Sequence, residues 1–206
     1  MLATAFFLAT ATPIRLPPVD QCSDDRGFTQ VRQKLEKSVP ARERDGLISL
    51  MSADVRVTFG GRYGREGFLQ HWTSVPKERG RLWRELDRAL RLGCAEAVSG
   101  EGTTYRAIPA MFITGDDLDG FSTWVALPGS VLRARPAPGA KAIMRLPPWA
   151  VLDDVEHDGG SWIQARTPKG RRGYVRRSEA RTLLDYRIIF GRRDGEWRIT
   201  AFVAGD

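Results

Sequence analysis

The first part of the chain alternates between two hydrophobic periods. Phe28, Val31 and Leu35 recur at helical spacing, with Asp24 or Asp25 placed to cap the helix. Pro40 opens a second predicted helix whose apolar side is Leu47, Ile48, Leu50 and Met51. The pattern then shifts to a period of two. In "DVRVTFGG", Val55, Val57 and Phe59 alternate with Arg56 and Thr58, which predicts a half-buried strand ended by Gly60 and Gly61. "REGFLQHW" can form a short helix. "ERGRLWRELDRALRLG" predicts a longer one, with Leu82, Leu86 and Leu90 on one side and Gly93 as its C-cap. "TTYRAIPAMF" reads as extended, and Pro109 would hold it at a sheet edge.

From "GDDLDG" at residue 115 onward, short extended runs punctuated by Gly and Pro predict an all-β unit, clearest from Val131 to Arg177. Within it "TPKGRR" reads as the solvated tip of a hairpin, with Gly170 free to take positive φ. The last segment predicts two long strands joined near Asp194-Gly195, a dipeptide suited to tight hairpin turns. Tyr186, Ile188 and Phe190 share one face of the first; Trp197, Ile199, Ala201 and Val203 share one face of the second.

Residues 129–182 resemble the bacterial Src homology 3 domain. The residues that carry the likeness are Leu132-Arg133-Ala134-Arg135-Pro136, then Ile143 and Leu146, Val151 and Val155, Gly159-Gly160-Ser161-Trp162, and finally Gly170 with Gly173-Tyr174-Val175. Tyr174 stands where that family usually has tryptophan, and Pro147-Pro148-Trp149 replaces its usual turn. The flanks, "ERDGLISLMSADVRVTFGGRYGREGFLQHW" and "YRIIFGRRDGEWRITAF", are similar to nuclear-transport-factor-two-like folds. Together the two resemblances imply an α+β protein: a helical N-terminal part with a C-terminal antiparallel β-hairpin, and a small Src-homology-3-like β-barrel inserted before that hairpin. The expected divisions are a signal segment at 1–20, a helix-rich α+β part at 24–120, the barrel at 121–182, and the hairpin completing the α+β part at 183–206.

Composition narrows the possibilities. The chain has 206 residues, and 42% are hydrophobic, enough for a packed core. The net charge of +7 favours polyanions, yet arginine is interspersed with acidic residues, as in "ARERDG". A dedicated nucleic-acid surface would be clustered, so nucleic acid is not an expected partner, and polyanion binding by the basic surface stays an alternative. The apolar run Leu2–Ala11, closed by Ala9-Thr10-Ala11 and followed by Pro13, Pro17 and Pro18, reads as a short secretory signal although no Lys or Arg precedes it. It points to a periplasmic or secreted protein, with the cytoplasm as the alternative. No later run is apolar enough to span a bilayer. In an oxidising compartment Cys22 and Cys94 can form a disulfide; in a reducing one they are two thiols.

Candidate chemistry is sparse. The resemblance to the Src homology 3 family implies an aromatic, basic ligand-binding shelf of Arg133, Arg135, Trp149, Trp162 and Tyr174, and a non-catalytic, exported docking protein. Its partners would be a peptide, a cell-wall polymer or an envelope protein. The alternative is a small-molecule pocket, or a hydrolase-like enzyme, in the transport-factor-like part. There His71 would act with Asp54 or Glu66 as orienting carboxylate and Tyr63 as proton donor. No catalytic residue is assigned beyond that alternative. Cys22, Cys94, His71 and His157 lack metal-ligand spacing, and Asp116, Asp117 and Asp119 lack a full calcium loop, so neither a metal nor a cofactor is expected.

Overall fold

The computed structural model describes residues 14–61, 64–74, 79–156 and 159–205. The helices, in chain order, are α1 (Arg26–Ala41), α2 (Arg44–Ser49), α3 (Gly64–Thr73), α4 (Arg79–Leu90) and α5 (Met111–Thr114). The first strands are β1 (Met51–Arg56), β2 (Ala95–Val98), β3 (Thr104–Ile108), β4 (Thr123–Ala126), β5 (Val131–Arg133) and β6 (Ala142–Arg145). The remaining strands are β7 (Val151–Glu156), β8 (Trp162–Arg166), β9 (Arg172–Arg176), β10 (Ala180–Thr182), β11 (Arg187–Arg193) and β12 (Glu196–Val203). They form two compact units. Among the described residues, one lies within 16–123 and 181–205, and the other within 124–180 with residues 14 and 15.

In the first unit a five-stranded sheet runs in the order β1-β12-β11-β3-β2. β1 lies parallel to β12, and the other pairs are antiparallel. The helices begin as their caps dictate: the Asp25 side chain accepts from the Phe28 N–H at 2.9 Å and starts α1. Pro40 lies within the last turn of α1 instead of opening α2. Asp194 and Gly195 both take positive φ, 52° and 81°, as a tight β11–β12 turn requires. β3 sits between β11 and β2, not at an edge; it ends at Ile108, one residue before Pro109, so the proline never enters the ladder.

One irregularity sets the two faces of this sheet. Ile189 opposes Ala201 while Phe190 opposes Ile199, which leaves Thr200 as an extra residue in β12. A bulge of one residue reverses which way later side chains point. Trp197 and Ile199 therefore share the helix-covered face with Phe202, and Ala201 and Val203 turn to the opposite face, contrary to the unbroken alternation that the sequence suggested.

The helix-covered face is filled. Phe28 meets Phe190 and Trp197 edge-on at 5.0 and 5.5 Å, and Trp72 packs against Tyr186 and Phe202 at 5.2 and 5.6 Å. Leu35, Val55, Val57, Phe68, Leu86 and Ile188 belong to the same core. Arg106 is buried between the rings of Phe28 and Trp197, 4.7 and 4.9 Å from their centroids. Its charge is offset by Glu96 and Asp24, and it donates to the Cys22 carbonyl at 3.1 Å. Cys22 is joined to Cys94 by a disulfide, with both side chains buried. The bond fixes the approach to α1 alongside β2, where the Cys94 N–H donates to the Val19 carbonyl and the Cys94 carbonyl accepts from the Gln21 N–H.

The second unit departs from the expected small barrel. Its strands run in the open order β10-β4-β7-β8-β9-β5-β6, so β10 and β6 lie at opposite ends and no Src-homology-3-like barrel is closed among the described residues. The cause lies in the flanks of the expected repeat: β4 pairs beside β7, with the Ala126 N–H donating to the Ala150 carbonyl at 2.9 Å, and β10 adds beyond β4. A second correction concerns the helical N-terminal part. β1, β2 and β3 from that region join β11 and β12 in one sheet, so the protein is dominated by two large sheets, and the terminal hairpin is the middle of one of them. The second unit has its own core of Trp124, Leu132, Leu146, Leu152, Ile163 and Val175 with small alanines.

Candidate functional site

On the sheet face opposite α1, α3 and α4, the five-stranded unit holds an open cavity of about 510 Å³. Its position follows from the bulge. Ala201 and Val203 form the floor with Ile189 of the paired strand, because Thr200 shifts the alternation. Gly191 stands opposite Tyr105 on β3, and a Cβ there would come within 3.2 Å of Thr200 Cγ2. The missing side chain keeps that end of the floor low. Tyr105, Phe112 of α5 and Phe59 supply aromatic walls. Phe59 was expected to continue the buried side of β1; it lies beyond the strand's end at Arg56, is 43% exposed, and faces this cavity.

The charged groups are Asp54 and Arg56 from β1, and Arg187 and Arg193 from β11. Arg187 is 4% exposed and donates to the carbonyls of Gly205 at 2.8 Å and Leu184 at 3.4 Å. Its guanidinium lies over Phe112, 4.4 Å from the ring centroid, with Phe59 at 5.7 Å. Arg193 reaches Asp54 at 3.4 Å at the exposed rim. The Asp54 carboxyl is held below the usual carboxylate range, first by the Ser52 hydroxyl acting as a nearby dipole and then by Arg193. At neutral pH it is therefore an acceptor and a fixed negative charge, not a proton donor. Among the described residues the lining carries three arginines against one carboxylate.

The residues expected to form a catalytic group do not meet here. Among His71, Asp54, Glu66 and Tyr63, Asp54 lines the cavity. His71 stands on α3 with its ring edge-on to Trp72 at 5.1 Å, on the helix side of the unit, and Glu66 is exposed in the first turn of the same helix. Tyr63 and His157 lie outside the described residues. Asp116, Asp117 and Asp119 are exposed, and Asp119 accepts from Ser122 Oγ and the Phe121 N–H within its own turn, at 2.6 and 3.0 Å. Among the described residues no group of three or more His, Cys, Asp or Glu is placed to hold a metal ion.

The expected shelf in the other unit is assembled in part. Tyr174 opposes Arg133 on β5 and Gln164 on β8, while Trp162 opposes Arg176, which puts Arg133, Trp162 and Tyr174 on one sheet face. Trp162 lies between the guanidinium groups of Arg133 and Arg176, at 5.6 and 5.4 Å, and Arg133 is paired with Glu179 at 3.0 Å. Trp149 instead occupies a turn before β7 with φ of 65°, and Arg135 is exposed in the turn after β5. The basic run Lys169, Arg171 and Arg172 is exposed at the tip of the β8–β9 hairpin, where Gly170 has φ of 77°.

No protein-family model and no curated protein sequence matches the chain. Among solved structures it is similar to Aln2 from a Streptomyces species, at 10% identity and a TM-score of 0.32 over 86% of each chain. It is also similar to a candidate ketosteroid isomerase from Shewanella frigidimarina, at 9% identity and a TM-score of 0.29 over 88% of this chain and 96% of that one. A candidate polyketide cyclase from Pseudomonas putida gives 11% identity and a TM-score of 0.27 over 86% and 90%. The resemblance of residues 129–182 to bacterial Src homology 3 domains is overturned by the open strand order of that unit. At such TM-scores the overlaps say nothing about what this chain does.

Proposed function

We propose that the five-stranded unit binds a small molecule in the cavity on the face opposite α1, α3 and α4. The docking role inferred from a closed Src-homology-3-like barrel falls with that barrel. The observation that carries the proposal is the cavity itself: about 510 Å³, with an apolar floor of Ile189, Ala201 and Val203, aromatic walls, and a few polar groups at its margin. That size and composition are ordinary for small-molecule sites. On the helix-covered side, the space beside His71 is taken up by the aromatic cluster of Phe68, Trp72, Tyr186 and Phe202. The buried Cys22–Cys94 disulfide supports a location in an oxidising compartment.

The test is a small-molecule screen read by thermal shift and by backbone amide chemical shifts, on the full chain and on Ala201→Phe, which fills the floor. Ligands are expected to move the amides of Ile189, Ala201 and Arg193 and to lose about tenfold or more in affinity in Ala201→Phe. His71→Ala is expected to bind as the parent does. Ligands that bind equally well to Ala201→Phe, or a screen in which nothing moves these amides, would overturn the proposal.

A further inference from the structure

Two turns of the seven-stranded unit have no part in the cavity described above. Pro147, before β7, and Pro168, at the tip of the β8–β9 hairpin, both line a slot of about 140 Å³. Its interior is apolar, made by Met144, Leu146, Ala150 and Leu152, the last three being buried members of the unit's core. Its lining also carries Lys169 and Arg171, both exposed, and among the described residues no acid lines it. We infer that this slot is a separate binding site, for a small amphiphilic anion: a short hydrocarbon chain that ends in an anionic group.

The size of the slot sets the length of the chain. An apolar cavity of about 150 Å³ holds one benzene, so this one takes about six carbons. Thr167 also lines it, but its hydroxyl oxygen already accepts from the Arg171 N–H at 3.2 Å, which leaves the interior with hydrocarbon contacts to offer. The charge at its mouth sets the head group. Neither the Lys169 nor the Arg171 side chain forms an ion pair or a hydrogen bond among the described residues. Asp153 stands next to Leu152 on β7, points to the opposite face, and is paired with Arg166 at 3.1 Å. An anionic head therefore complements two cations that no carboxylate of the protein neutralises. Both walls are fixed before a ligand arrives. At the hairpin tip the Thr167 N–H donates to the Arg171 carbonyl at 2.9 Å and the Gly170 N–H to the Thr167 carbonyl at 2.7 Å; on the other wall the Ala150 N–H donates to the Pro147 carbonyl at 3.2 Å. The prolines hold their own φ, so little order remains to be gained on binding.

The test titrates butyrate, hexanoate, octanoate and hexanamide into the isotope-labelled full chain and follows the amides of Leu152, Thr167 and Arg171. Hexanoate is expected to bind at about the millimolar level, as suits so small a ligand. Affinity should rise about fourfold for each CH₂ group from butyrate to hexanoate and level off by octanoate, whose added carbons find the slot full. Hexanamide should bind several-fold more weakly than hexanoate. Hexanoate should lose several-fold in the double variant Lys169→Gln, Arg171→Gln, whose side chains are exposed and whose amide pattern elsewhere should match the parent's. Hexanamide that binds as well as hexanoate, or a double variant that binds as the parent does, would overturn the anionic class. A gain from hexanoate to octanoate as large as that from butyrate to hexanoate would put the chain on open surface and overturn the slot. Shifts confined to Ile189 and Ala201, or no shift with any acid, would overturn the site whatever the fate of the other cavity. Phosphatidylglycerol vesicles that move the Thr167 and Arg171 amides where no free acid does would assign the basic tip to a membrane surface and overturn it as well.

Discussion

The two units solve the problem of covering a sheet in different ways. The five-stranded unit stacks α1, α3 and α4 on one face, fills that face with large rings, and ties its N-terminal approach to β2 through the Cys22–Cys94 disulfide. Among the described residues the seven-stranded unit has no α-helix; its core is made mostly of Leu, Ile, Val and Ala, and glycines set the geometry of its hairpins. The difference has a functional side. Helices that satisfy one face of a sheet leave the other available for a cavity, whereas a unit with a thin aliphatic core has little surface to spare. Stability should accordingly rest on the cross-link and rings in the first unit, and on close backbone approach in the second.

The largest expected effect removes the cross-link. The disulfide spans 72 residues, and closing a loop of that length is worth about 4 kcal/mol in the chain-entropy account. Cys22→Ser with Cys94→Ser should lower the stability of the five-stranded unit by roughly that amount, within a range of about 2–5 kcal/mol. Hydrogen exchange resolved along the chain checks the assignment. Protection is expected to fall across β11, β12 and α1 and to stay near its original level across β8 and β9. Equal losses in both units would mean that they unfold as one, and the contrast drawn above would break.

A smaller effect belongs to the seven-stranded unit. Gly173 lies in β9 where a Cβ would stand 2.7 Å from the Arg133 carbonyl oxygen and 2.8 Å from Leu132 Cγ. Backbone cannot yield as a side-chain end can, so Gly173→Ala should cost about 1–3 kcal/mol. The loss should be confined to β5, β8 and β9 in the same exchange experiment. A neutral Gly173→Ala would show that β5 and β9 can separate freely, and would remove the distinction between the two kinds of core.

Much of the five-stranded unit was legible because local rules and tertiary packing agree there. The spacing of Phe28 and Leu35, a cap at Asp24 or Asp25, Leu82 and Leu86 on one side of α4, and the Asp194-Gly195 turn all follow from periodicity and backbone chemistry, and packing selects Asp25 as the cap. The cavity was not legible, for a specific reason. Its floor depends on Thr200 being an unpaired extra residue, and nothing in "EWRITAFV" interrupts the alternation to announce a bulge. Unbroken alternation therefore predicts Ala201 and Val203 on the face of Trp197 and Ile199. Arg187, Tyr105 and Phe112 come from three separated segments that meet only through the order β12-β11-β3. In the other unit the hairpin grammar was visible in Gly170 and Gly173, but it did not reveal that β4 and β10 extend the sheet on one side. Local signals specify a turn; they do not specify which edge remains free.

The smallest effect tests how the first unit fastens α1 to its terminal hairpin. The Asp25 carboxylate accepts from the Phe28 N–H at 2.9 Å and from the Trp197 indole N–H at 2.9 Å, and pairs with Arg192 at 2.7 Å. The Phe28 N–H and then the indole, assisted by Arg192 and Arg106, hold its acid constant below the ordinary aspartate value, outweighing partial burial. A depressed folded-state value means that the unfolded chain takes up the proton first as pH falls. The stabilisation is thus fully present above the unfolded value of about 4, and is lost as pH drops through the lower folded value. Asp25→Ala should cost about 1–2 kcal/mol at pH 7, as removal of a helix cap with one further partner does. In urea titrations at pH 7, 4 and ~2.5, the gap between parent and variant should be widest at pH 7 and narrow at the acid end. A gap that stays constant with pH would assign the loss to packing around Trp197 instead of charge, and would place this contact with the uncharged cores of both units.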